Sequence, residues 1–337
     1  MNGPAAMDLL GSPVWIVGPP AILLLALAID ALAGDMRPVF RYLPHPVAAI
    51  GAVVGSLDRR LNRPQRSAAD RRMRGVLCVV LVVGLAAAIG WGAHAVFAHA
   101  RWGWAAEAVA IGVLVAQRSL YDHVAAVGNA LVAEGVEGGR REVAHIVGRD
   151  TRGLDDHGVA RAAIESLFEN FGDGVVAPVF WYLLLGLPGL LALKAINTLD
   201  SMIGHRTPRH LDFGAAAARL DTAVMFLPAR LAALCVVVAA AVLPGARPVA
   251  ALRTAWRDGR KHRSVNAGWP EGAGAGALGL ALSGPRRYHG VASDDPWIGD
   301  GRARATPADI VRALRLFAAA CLVHAVLAAS YLLLFTR

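Results

Sequence analysis

The chain has 337 residues, of which 56% are hydrophobic and only 18% charged, against about a quarter charged in soluble globular chains. Mean hydropathy is +0.47. The 34 Lys+Arg against 25 Asp+Glu give a net charge of +9, but the cations crowd between apolar runs and are not interleaved with exposed aromatics, which argues against a nucleic-acid groove and for a membrane protein with basic loops.

In chain order, five runs have the length and composition of membrane segments, for which about 20 apolar residues are needed. They are Trp15–Ala33, Gly75–Ala98, Gly174–Leu193, Ala223–Leu243 and Leu316–Thr336. Trp102–Ala116 is a shorter sixth and carries Glu107. Asp8 stands where a signal peptide would carry a basic region, so the first run reads as a retained span. The expected fold is all-α, a polytopic integral membrane bundle of five or six segments forming one domain over 1–337. Three polar regions are set within it: a basic cytoplasmic loop at 35–74, a polar helical loop at 118–173 and a basic polar loop at 247–307. Nine arginines between Asp35 and Arg74 put that loop on the cytoplasmic side. With all six runs spanning, Asn197–Asp221 falls on the outer side. The Gly186-Leu-Pro188-Gly189 break offers a second topology, a re-entrant pair of half-helices over Gly174–Ile196. Cys78, Cys235 and Cys321 all lie in apolar segments without metal-ligand spacing and read as inert thiols.

Five polar constellations sit at the ends of these runs. Asp35 follows the first, and Pro44-His45-Pro46 after it predicts an extended loop that fixes an imidazole; a structural turn at headgroup level is the weightier reading of that motif alone. Asp155 reads as the N-cap of a helix that puts Arg161, Glu165 and Glu169 four apart on one face. A solvated ion-pair stripe would account for that spacing. Asn170, Asp173 and Gly174 follow at once, however, and acidic groups at a membrane boundary are costly unless engaged; Mg²⁺ favours such oxygens. Lys194, Asn197, Asp200 and Ser201 form one polar stripe, with Leu193, Ile196, Leu199 and Ile203 opposite. That pattern suits either a joint phosphate and metal site or an interfacial turn with a snorkelling lysine. Arg219 and Asp221 precede a run holding Arg230, an arginine that either faces a cavity or a partner or snorkels to the headgroups from within two turns of the run's end. Last, Asn266 and Glu271 open a Gly/Ala-rich stretch that fits either phosphate approach or close helix packing. There is no P-loop or Rossmann fingerprint.

Together these blocks resemble the CobD/CbiB membrane family of cobalamin biosynthesis, the adenosylcobinamide-phosphate synthases. The matching pieces are GD followed by PHPVAAIG, then VGRDT, ESLFENFGDGVVAP, KAINTLDSMIG, the pair ARLD and LPARL, NAGWPE, and PWIGD, in family order from about residue 30 to 317. The chain departs at Phe171-Gly172, where the family has Thr-Val, at Thr222, where it has a second acid, at Val265, where it has Pro, and at His205, where it has Tyr.

The resemblance implies an ATP-consuming amide synthesis. It joins (R)-1-aminopropan-2-ol phosphate, or free aminopropanol, to a propionate carboxylate of adenosylcobyric acid. ATP and Mg²⁺ would be required, and the corrinoid is substrate rather than cofactor. In that frame Glu165, Glu169, Asp173, Asp200 and Lys194 are the catalytic candidates, with Glu169, Asp173 and Asp200 as metal ligands. Asp35, His45, Asn170, Asn197, Ser201, Arg219, Asp221, Asn266 and Glu271 are the substrate-binding candidates. The implied setting is the inner membrane, multi-pass, in contact with lipid and with other membrane enzymes of the pathway, and without nucleic acid. Two rival readings stand beside this one, a non-catalytic membrane sensor or scaffold of the same superfamily and a small-molecule transporter.

Overall fold

The computed structural model describes residues 19–34, 40, 45–148, 150–288 and 291–335. Twelve α-helices carry the described chain: α1 Pro19–Ala33, α2 Pro46–Leu61, α3 Ala68–His99, α4 Gly103–Leu114, α5 Gln117–Val143, α6 Asp156–Asn170, α7 Ala177–Ile203, α8 Ala215–Val224, α9 Phe226–Val242, α10 Pro248–Asp258, α11 Gly268–Leu278 and α12 Pro307–Phe335. A π-helical turn, Phe171–Val176, joins α6 to α7. The helical membrane fold expected from composition is therefore present. By length and apolarity Ala68–His99, Asp156–Ile203 and Pro307–Leu334 can each cross a bilayer, and α8 with α9, bent by 44°, makes a fourth if the pair is one span. α1 is apolar but short, and α4 has only 12 residues.

The strands among the described residues are confined to one stretch, 282–298. Strands β1 Leu282–Ser283 and β4 Trp297–Ile298 pair antiparallel, as do β2 Arg286–Tyr288 and β3 Val291–Ser293. Two- and three-residue strands leave too little alternation to read from sequence.

The chain forms two compact units. One comprises Met1–Val115, Pro178–Val224 and Leu327–Arg337; the other comprises Ala116–Ala177 and Met225–Val326. In the first, α1 packs on α4, and α3 on α2, α4 and α8. Its core gathers Val54, Cys78, Val82, Leu199, Ile203 and Phe213. The Gly-Leu-Pro-Gly break is real: Gly186 takes φ 63 and ψ −155, a conformation that favours glycine, and Pro188 follows it inside α7. In the second unit α11 packs against α10 and α9. The Gly/Ala-rich stretch serves this contact. A Cβ at Gly272 would lie 3.1 Å from the Ala255 Cα, and one at Gly276 would lie 2.8 Å from the Ala251 Cα. Of its two readings, close helix packing is therefore what the structure carries.

The Pro44-His45-Pro46 expectation is corrected at its second half. Pro46 is the first residue of α2, and His45 is its N-cap, at φ −59 and ψ 137, with Nδ1 accepting from Val47 N at 3.2 Å. A proline suits a first helical turn because no donor is lost there, and it keeps its predecessor extended. The motif thus opens a helix rather than holding a loop. Pro44 and Asp35 lie outside the described residues.

Candidate active site

In the first unit the polar stripe of α7 forms as its spacing predicts. Leu193, Leu199 and Ile203 are buried, Lys194, Asn197 and Asp200 are half-buried, and Ser201 is exposed. α8 brings Asp221 to this stripe. Asn197 Nδ2 donates to Asp221 Oδ1 at 2.8 Å, and Asp200 is close enough to Asp221 to interact electrostatically. Two carboxylates and an amide therefore share one corner. Asn197 Oδ1 is buried there and has no hydrogen-bond partner among the described residues. An oxygen left in that state normally has a ligand or water to accept from. Ser201 Oγ donates to Thr198 O at 3.0 Å, which turns it toward its own helix. Arg219 is exposed one turn of α8 from Thr222. Lys194, half-buried, belongs to the same stripe.

Asp200 sits on a tight helix end. Gly204 N donates to the Asp200 carbonyl at 2.8 Å. A Cβ on Gly204 would come within 2.7 Å of that oxygen and closer still to Oδ1. Gly204→Ala must therefore push the Asp200 carboxylate aside. We expect it to lower the activity of the protein about tenfold with helix content unchanged by circular dichroism; full activity would show that the carboxylate position is unimportant.

In the second unit, Asp155 caps α6 as expected, accepting from Gly158 N at 2.7 Å. The solvated-stripe reading of α6 fails at its centre: Glu165 is 5% exposed, and its Oε1 accepts from Ser283 N at 2.8 Å. Ser283 has φ 61, unusual for a residue with a side chain. Glu165 thus anchors the turn at β1, a positioning role that spacing alone could not reveal. Glu169, Asn170 and Asp173 remain half-buried at the far end. Asn170 Nδ2 donates to Ser166 O at 2.9 Å. Asp173 lies in the π-helical turn, a feature that recurs at functional positions.

A second cluster in this unit surrounds Asn266 and Glu271. Arg230 Nη1 donates to Asn266 Oδ1 at 2.8 Å, so the arginine inside an apolar run does find a partner. Its guanidinium carbon lies 3.6 Å from the Phe226 ring centroid and 4.6 Å from that of Trp269. Glu271 is 1% exposed, and His262 Nε2 stands 3.5 Å from its Oε2. The role of His262 had no signal in the sequence beyond its own presence nine residues upstream.

A third cluster escaped sequence reasoning altogether. In the first unit, buried Glu107 accepts from Tyr182 Oη at 2.9 Å and lies 3.6 Å from His94 Nδ1. Glu107 and His94 lie in separate apolar runs; only the packing of α3, α4 and α7 brings them to one place.

Among the described residues no three His, Cys, Asp or Glu side chains converge as a ready-made metal cage. Mg²⁺ typically takes one or two carboxylates and completes its shell with water and substrate phosphates. Asp200, Asp221 and the unsatisfied Asn197 oxygen suit that pattern in the first unit. Glu169 and Asp173 offer two carboxylates in the second.

Comparison with known proteins decides the family. The CobD/CbiB protein model matches residues 23–317. The chain belongs to the CobD/CbiB family. Among curated relatives, the cobalamin biosynthesis protein CobD of Sinorhizobium sp is 49% identical over 307 residues, covering 90% of this chain and 95% of the relative. CobD of Rhizobium meliloti (strain 1021) is 46% identical, covering 89% and 93%, and a CobD of Rhodobacter capsulatus is 44% identical, covering 88% and 92%. No solved structure matches. Membership of the CobD/CbiB family gives the chain a role in cobalamin biosynthesis, and the long apolar helices make it a membrane protein.

Proposed function

We propose that the protein is an adenosylcobinamide-phosphate synthase of the inner membrane. It joins (R)-1-aminopropan-2-ol phosphate, or the free aminopropanol, to the propionate carboxylate of adenosylcobyric acid at the expense of ATP. The observation that carries this reading is the corner of α7 and α8, where Asp221, Asn197 and Asp200 meet at the end of an apolar helix within a CobD/CbiB chain.

In the reaction a propionate oxygen takes a phosphoryl group from ATP, giving an acyl phosphate and ADP. The amine nitrogen then attacks the acyl carbon, the carbon–oxygen bond to phosphate breaks, and inorganic phosphate leaves. One proton must be lost from the ammonium before attack, and a second leaves the nitrogen as the amide forms, taken by the departing phosphate. Asp200 is the residue we assign to the first proton, since a carboxylate held beside a second carboxylate is a competent base. Mg²⁺ would supply phosphate charge neutralisation when bound; Glu169 and Asp173 are candidate ligands in the second unit, and Asp200 is the alternative candidate in the first, where it would then not be the base. Lys194 and Arg219 would hold phosphate oxygens as cations. Asn170, Asn197, Ser201, Asn266 and Glu271 would orient the substrates. His45 and Asp35 stand as substrate contacts from the segment after α1. Glu165 would act by fixing the Ser283 turn rather than by touching substrate.

The test is direct. Purified protein is incubated with adenosylcobyric acid, aminopropanol phosphate, ATP and Mg²⁺, and the amide product is sought by mass spectrometry. Product is expected with the wild-type chain and a loss of about 10²-fold or more with Asp173→Ala. No product from the wild-type chain would overturn the enzyme assignment, leaving a sensor or scaffold; undiminished product from the variant would remove Asp173 from the site.

A further inference from the structure

The second unit holds a cavity of about 610 Å³ between α9 and α10, within the roughly 300–1,000 Å³ of ligand pockets. Its walls are almost wholly apolar. Ala233, Leu234 and Val237 come from α9, and Leu252, Ala255 and Trp256 from α10. Its charged groups are two guanidiniums, Arg230 and Arg260, and no carboxylate lines it. The hydrogen bonds of Arg230 go to neutral oxygens, Phe226 O and Asn266 Oδ1. Arg260 is exposed and has no hydrogen-bond or ion-pair partner among the described residues. Two guanidiniums facing one apolar cavity without an anion repel each other, and a ligand bearing a phosphate would neutralise both.

The surface around the cavity identifies the rest of that ligand. α10 is amphipathic, and Val249, Leu252 and Trp256, spaced three and four apart, are 71%, 56% and 71% exposed. On α9, Leu234 and Val238 are also exposed. Arg253, Arg257 and Arg260 flank the α10 stripe. A helix with an apolar stripe, an interfacial Trp and arginine flanks lies in the headgroup boundary of a bilayer. The cavity thus opens on its apolar side to where acyl chains are, while its arginines stand where phosphates are.

We propose that this groove binds one anionic phospholipid, an acyl chain lying between α9 and α10 and the phosphate held by Arg230 and Arg260. Charge complementarity and the continuous apolar wall favour such an amphiphile over a nucleotide, which would leave most of the wall against water.

The full chain, purified in detergent and freed of lipid, is titrated with phosphatidylglycerol and separately with phosphatidylcholine, and bound lipid is counted by native mass spectrometry. One phosphatidylglycerol should bind about tenfold more tightly than phosphatidylcholine. Arg260→Gln, at an exposed position, should remove most of that preference, and Leu252→Asn should weaken both lipids alike. Equal binding of the two lipids, or an unchanged preference in Arg260→Gln, would overturn the site. So would displacement of the bound lipid by adenosylcobyric acid, which would make the groove a substrate subsite. None of these readings requires amide synthesis, so failure here and failure of the proposed activity are separable.

Discussion

Asp200→Asn is expected to lower amide formation by about 10²–10⁴-fold without lowering the thermal midpoint of the protein. The substitution keeps shape and hydrogen-bonding capacity and removes only the charge. Its neighbours show why the charge is costly to hold. Asp200 lies against Asp221 on a helix that otherwise buries Leu193, Leu199 and Ile203, and two like charges in such a place persist only where a cation or a proton is to be received. Asp221 is tied to Asn197, which fixes its geometry; Asp200 makes no such side-chain tie among the described residues. The pair therefore divides into a held carboxylate and an available one. Initial rates in saturating ATP and Mg²⁺, measured across pH, check this. A variant with normal rate, or one whose loss follows a collapse of the thermal midpoint, would remove Asp200 from the chemistry.

Asp258→Ala should cost about 2–3 kcal/mol of stability. Asp258 is 1% exposed. Its Oδ2 takes Arg257 Nη2 at 2.5 Å and Gly299 N at 2.9 Å, and its Oδ1 takes Lys261 Nζ at 2.7 Å. Truncation strands the buried Gly299 donor. The cost stays below that of a fully buried pair because Arg257 and Lys261 can turn to water. The same contacts set a pH dependence. Burial pushes the Asp258 carboxyl up, but the hydrogen bonds of Arg257, Lys261 and Gly299 outweigh it and hold the group well below the usual carboxylate range. A depressed folded value stabilises the fold above the unfolded value of about 3.9 and loses that contribution as pH falls through the folded one. The thermal midpoint of the wild type should be level above about pH 5 and fall below about pH 4, and the Asp258→Ala protein should fall less steeply. Identical slopes would show that Asp258 is not the linked group.

Much of this was legible in the sequence because it is a matter of period and composition. The apolar runs became helices, Asp155 became a cap, and the stripe of Lys194, Asn197 and Asp200 came out on one face of α7 with the aliphatic residues opposite. What was not legible depends on which helices meet. Glu165 has the spacing of a solvated stripe, and only the return of β1 to α6 shows that it is an internal anchor. Asp221 was a loop-end acid until α8 carried it to Asn197. Glu107 and His94 lie in separate apolar runs, and no local pattern couples them to Tyr182. The proline pair misled for a different reason. Pro46 is equally at home in a loop and at the first position of a helix, and the apolar residues after it, Val47, Ala48, Ala49 and Ile50, settle the matter in favour of helix.

The division of the chain into two units has a consequence for how the protein is made. Neither unit is a continuous stretch; the chain passes between them after Val115, Ala177, Val224 and Val326. During synthesis the first unit therefore cannot close when its opening helices emerge, since Pro178–Val224 and Leu327–Arg337 are still to come. Its partly built core, with Cys78, Val82 and Phe213 drawn from distant segments, would have to wait in the membrane or at the insertion machinery, where exposed apolar faces invite wrong pairing. Long sequence separation between partners also slows the search for them. Cutting the gene within either middle segment, 116–177 or 178–224, would leave two fragments that divide at least one unit between them, so fragments recovered separately should not assemble unless they are produced together.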